Sequence, residues 1–108
     1  MLLLNIDSIP GKRVEALGLV KGSVVQAKNF GKDFMAGMKT LVGGEIEGYT
    51  DLLNQARQIA TKRMVDEAEA LGADAVLNIR YASSSLMQSA AELTAYGTAV
   101  RIVGVEDC

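Results

Sequence analysis

The side chains able to do chemistry gather in the second half of the chain. Asn78, Arg80, Thr94, Tyr96 and Thr98 fall at alternating positions of two segments that read as strands, so one sheet face can carry all five. A face of amide, guanidinium and hydroxyl groups binds by hydrogen bonding. Arg63 and Glu67 stand out by position instead. They point into the apolar stripe of a helix and lie four apart, close enough to pair along it. At the stripe's edge their stems would cover apolar surface while the heads reach water. Held at a subunit boundary or pocket wall, the same pair would fix registry or ligand position. Arg63, Glu67, Asn78, Arg80 and Tyr96 are the candidate ligand-binding residues.

Other chemistries lack parts. The chain has no histidine and one cysteine, Cys108, its last residue. Soft metals want thiolate or imidazole, so a zinc, copper or cadmium site within one chain is close to excluded, and the metal ligands stay unknown. Carboxylates could hold a hard cation, with Glu45 and Glu47 or Asp66, Glu67 and Glu69 as candidates. Asp66 and Glu67 lie on different sides of the helix from Glu69, however. A solvated face and a helix-dipole partnership are the commoner uses of such acids. Gly43-Gly44 before a helix could cradle a phosphate, but Glu45 and Glu47 would repel it, and no P-loop or dinucleotide fingerprint is present. Ser83, Ser84 and Ser85 have no histidine to activate them. With no catalytic constellation, a non-enzymatic binding or scaffold module is expected; the alternative is an enzyme or small-ligand-binding protein whose pocket lies at a subunit boundary and uses Arg80, Tyr96, Arg63 and Glu67.

One long helix must position these groups. Tyr49, Leu52, Leu53, Ala56, Ile59, Ala60, Met64, Ala70 and Leu71 share a stripe at helical period, with Asp51, Asn54, Gln55, Gln58, Thr61, Lys62 and Glu69 opposite. Gly43, Gly44 and Gly48 supply turn chemistry before it, and Gly72 just after Leu71 is the stop. At about 1.5 Å per residue the helix is on the order of 35 Å long, enough to cross a small sheet.

The remaining elements follow in order. Leu2–Ile6 reads as a short strand ended by the Ile9-Pro10-Gly11 turn. Residues 13–28 favour extended structure, either as one strand bulged near Gly22, which is preferred, or as two strands turning at Lys21-Gly22-Ser23. Phe30, Phe34, Met38 and Leu41 recur at spacings of four and three, predicting a short helix over Asn29–Leu41. Ala75–Ala82 alternates, placing Leu77, Ile79 and Tyr81 on one face and Val76, Asn78 and Arg80 on the other. Ser83–Ser89 reads as a connection, and Leu93–Val103 as the last strand, with Ala95, Gly97 and Ala99 small enough for a helix to approach closely.

At 108 residues with 49% hydrophobic content, one domain spanning 1–108 is expected. The mean hydropathy of +0.18 is high for so small a chain and predicts a homo-oligomer that covers spare apolar surface. A net charge of −2, with no basic stripe among aromatics, argues against nucleic acid. Met1-Leu2-Leu3-Leu4 lacks a basic flank and is too short for a signal or membrane span, so a cytoplasmic protein is expected.

Taken together, Ile9-Pro10-Gly11, Gly18-Leu19-Val20-Lys21-Gly22, Gly43-Gly44-Glu45 before Tyr49-Thr50, the helix text from Ala56-Arg57 to Arg63-Met64, Leu71-Gly72-Ala73-Asp74-Ala75-Val76 and Ala95-Tyr96-Gly97-Thr98-Ala99-Val100 resemble the YbjQ-like family over nearly the whole chain. The resemblance implies a small α+β subunit, dodecin-like or YbjQ-like. One long helix would pack across a small antiparallel sheet, with a short helix beside it, and the subunits would assemble as a ring of about five. It also implies a family carried as heavy-metal-binding, with a possible metal ion as cofactor. In a ring, a polar sheet face is either an inter-subunit seam, the commoner use, or the wall of a small-ligand pocket near a neighbour's Arg63 or Glu67.

Overall fold

The structure, a computed structural model, describes residues 1–27, 47–87 and 90–105. Strand β1 (Leu2–Leu3) opens the chain and β2 (Lys12–Ala27) follows. Helix α1 (Glu47–Ala70) comes next, then β3 (Ala75–Met87) and β4 (Ala90–Val105). These strands form one four-stranded sheet in the order β1-β3-β4-β2. The short helix expected over Asn29–Leu41 and the Gly43-Gly44-Glu45 turn lie outside the described residues.

The sheet is mixed, not antiparallel as expected. β2 and β3 run antiparallel to β4, whereas β1 lies parallel to β3, pairing Leu2 with Ala75 and Leu3 with Val76. Parallel neighbours need a long crossover, and β2 with α1 provides it. The Leu4 amide donates to the Val76 carbonyl (3.0 Å), and the Asn78 and Ile79 amides donate to the Ile6 and Leu4 carbonyls (3.1 Å each). These bonds extend the pairing beyond the two residues of β1.

Helix α1 forms as the periodicity predicts, and its stop is a Schellman motif. Gly72 takes φ +78°. Its amide donates to the Glu69 carbonyl (2.9 Å), and the Ala73 amide to the Ala68 carbonyl (3.1 Å). The buried stripe differs at its end. Ala56, Ala60, Met64 and Ala68 are buried with Ile59 and Val65 beside them, whereas Ala70 and Leu71 are exposed. The chain reverses at Gly72, and Ala68 is the last residue of the stripe to be buried.

Those small side chains let the helix lie close on Val20, Val24, Ala95, Ala99 and Val76, which complete the main core. Met64, the largest of them to be wholly buried, contributes about 1.5–3 kcal/mol by leaving water. A second cluster, Ile9, Ala75, Leu77 and Val100, sits on the opposite face, with Leu4 and Val14 packed against it.

Three strand details depart from expectation. β2 is one continuous strand, but its irregularities fall at Arg13/Val14 and Ala16/Gly18 rather than near Gly22. Ser83, Ser84 and Ser85 are not a connection: they are paired to Leu93, Glu92 and Ala91, because β4 begins earlier than its apolar run suggests and offers them a partner. The alternation of β3 also breaks. Asn78 takes φ 55°, the register shifts between Leu77 and Arg80, and the parity of the strand switches there. Val76, Ile79 and Tyr81 therefore face α1, while Leu77 and Arg80 face away. The described residues extend 59 × 26 × 17 Å. Their radius of gyration, 17.8 Å, exceeds even the roughly 13 Å of a compact chain of about 100 residues.

Candidate functional site

The sheet separates the candidate residues into two groups. On the α1 side, Arg63 and Glu67 do not pair with each other. The Arg63 guanidinium donates to the Ser23 carbonyl (2.6 Å), and the Glu67 carboxylate accepts from the Lys21 amide (3.4 Å). Both targets are backbone groups on the outer edge of β2, which has no strand beyond it among the described residues. Between them lies Gly22. A Cβ built there would fall on the Ala60 carbonyl and the Met64 amide, and against the Arg63 Cβ. Only a glycine lets the helix sit this low over the strand. That closeness explains two charges in an apolar stripe: their side chains straddle β2 and occupy edge groups that would otherwise recruit another strand.

Tyr81, also on this side, is fixed from the helix. Its hydroxyl lies 2.9 Å from that of Thr61, which donates to the Arg57 carbonyl (2.7 Å). Leu3, Leu4, Asn5, Ile79 and Tyr81 border an open groove of about 400 Å³ beside β1.

On the face away from α1 the structure brings Arg80, Tyr96, Thr94 and Thr98 together, as the alternation of β4 predicts. Tyr96 stands directly opposite Arg80, Thr94 opposite Ala82 and Thr98 opposite Leu77. Asn78 leaves this set, because its backbone forms the bulge. Two residues of β2 join it that sequence reasoning missed: Lys21 opposite Tyr96 and Ser23 opposite Thr94. The Ser23 and Thr94 hydroxyls are 2.8 Å apart. Period-2 spacing in β2 was the available signal, since Leu19, Lys21, Ser23 and Val25 alternate with Val20, Gly22 and Val24; what the sequence lacked was which strand lay beside β4.

One helix laid across a mixed four-stranded sheet, with a hydroxyl- and cation-bearing outer face, defines a small α+β domain. A family model described as "Putative heavy-metal-binding" (YbjQ) matches residues 1–103, and the chain belongs to that family. A UPF0145 protein of Clostridium novyi is 61% identical over 103 residues, covering 95% of this chain and all of the relative. A Thermus thermophilus UPF0145 protein is 53% identical, covering 94% of this chain and 90% of the relative. The fold is also similar to the crystal structure of a protein of unknown function of the DUF74 family from Pediococcus pentosaceus. That match has a TM-score of 0.69 at 15% identity, covering 95% of this chain and 98% of the other.

The family description raises a metal, and the donors of this chain fit a heavy one poorly. Soft ions are held by imidazole and thiolate, and the chain has no histidine and only Cys108. Among the described residues no three acidic, histidine or cysteine side chains converge. Asp66 is engaged by Lys62 (3.1 Å) on the outer helix face, and Glu67 is turned to β2. No helix among the described residues is long and apolar enough to cross a membrane.

Proposed function

We propose that this chain is the subunit of a non-enzymatic, homo-oligomeric binding module, one domain over residues 1–108 acting in the cytoplasm as a ring of five. The observation that supports the reading is the apolar surface a lone, elongated subunit leaves in water. Leu19 is 69% exposed, Val105 65% and Val25 52%, and Leu2, Leu3, Ile6 and Val103 add to them. Symmetric copies bury such surface at low cost in specificity. Sedimentation at micromolar concentration tests it. The expected species is about five times the 11.5 kDa subunit; a clean monomer overturns the proposal.

A second reading rests on the Arg80–Tyr96 pair. A guanidinium beside a phenol on the sheet face that α1 does not cover suits one wall of a small-ligand pocket, with a neighbour's Arg63 or Glu67 closing it at the subunit boundary. Melting the protein against metal and metabolite panels separates the two. Stabilisation by an organic ligand that disappears in Arg80→Ala favours the pocket. A response to metal alone, lost in Glu45→Ala or Cys108→Ser, favours the metal of the family description.

A further inference from the structure

We propose that the sheet face turned away from α1 binds a compact oxyanion, the phosphate or carboxylate group of a small molecule, over the row Lys21–Tyr96–Arg80. The proposal deepens the second reading and takes its sheet face from it, adding the ligand's class and a residue that reading does not contain. Tyr96 pairs with Lys21 of β2 on one side and with Arg80 of β3 on the other, so all three stand on one face in one row. Neighbouring strands lie about 4.8 Å apart, which puts a cation on either side of the phenol within reach of a ligand above its ring. Lys21 and Arg80 are both exposed, and Tyr96 between them is half-buried.

The chemistry of the row is complementary to an oxyanion. Arg80 offers a planar fork that meets two oxygens at once, and Lys21 a compact charge on a flexible stem. In the next row the Ser23 and Thr94 hydroxyls share one hydrogen bond at 2.8 Å, which uses one of their two hydrogens and leaves the other for an acceptor. Among the described residues the one salt bridge is Lys62–Asp66, along the outer face of α1, so neither cation of the row has a described carboxylate in ion-pair contact. The acid that β4 presents on the same face, Glu92, is four residues from Tyr96, about 13 Å away, and Asp7, on the segment that leads onto this face at Ile9, makes no ion pair with either cation. Glu67 spends its carboxylate on the Lys21 backbone at the strand edge. Two cations flanking one phenol repel each other until an anion sits between them.

The test is a titration of the full chain with inorganic phosphate, pyrophosphate and malonate at low and high sodium chloride, read by calorimetry and melting temperature. Saturable binding that weakens with salt is expected, with phosphate against malonate distinguishing a phosphoryl from a carboxylate ligand. Lys21→Met and Arg80→Met should each weaken it by about tenfold or more, as loss of a charge-assisted contact does. Tyr96→Phe should weaken it less, and Lys62→Met should leave it unchanged. No saturable response to any of the three, or an equal loss in Lys62→Met, overturns the proposal. Sedimentation of the same samples keeps the failures apart. An oligomer silent to anions but stabilised by a neutral organic ligand through Arg80 retains the pocket and loses the oxyanion. A monomer that binds phosphate retains the site and loses the ring.

Discussion

At the scale of single residues, two backbone demands decide what this chain tolerates. Gly22 sits where β2 passes under α1, and a methyl there meets backbone atoms of Ala60 and Met64 that cannot rotate away. Gly22→Ala should therefore cost about 1–3 kcal/mol or more by forcing helix and strand apart, measurable by urea unfolding. Wild-type stability in that variant would contradict the close approach. Asn78 holds φ 55° at the bulge that switches the parity of β3. Asn78→Val should cost about 1–3 kcal/mol because a β-branched residue resists that region, while Asn78→Gly should be nearly neutral. Equal effects of the two would mean the bulge does not set the strand. Asparagine accepts this conformation more readily than most residues, but its place inside an otherwise regular alternation hid the bulge.

At the scale of elements, α1 carries the domain. Its apolar period and its Gly72 stop were both readable, because each is a local property of the chain: side-chain spacing along a helix, and a backbone conformation at its end. Met64→Ala should cost about 2–5 kcal/mol, since Met64 is wholly buried at the centre of the contact and its neighbours are small residues with little freedom to collapse. A loss under about 1 kcal/mol in chemical denaturation would place the core elsewhere. The ends of strands were less readable. Ser83, Ser84 and Ser85 have turn-like chemistry, yet lie in β3 because β4 extends beside them. Pairing supplied what propensity lacked.

At the scale of the whole molecule, the sheet edge at β2 bears on how copies of the chain meet. The outer edge of β2 is occupied by Arg63 and Glu67, which take the Ser23 carbonyl and the Lys21 amide. Removing both in Arg63→Ala/Glu67→Ala should raise concentration-dependent light scattering and thioflavin binding while the melting temperature moves little. If the double variant stays as dispersed as the parent, the pair is ordinary surface charge.

The residues alone determined the long helix, its glycine stop, the family, and the polar alternation of β4, for these depend on neighbours in sequence or on the order of short motifs. Tertiary structure alone decided that the sheet is mixed, that Arg63 and Glu67 turn from each other to a strand edge, that Asn78 leaves the polar face, and that Lys21 joins it. All four turn on which backbone lies beside which. Contacts between residues dozens of positions apart are fixed by packing and strand register, and no local spacing encodes them.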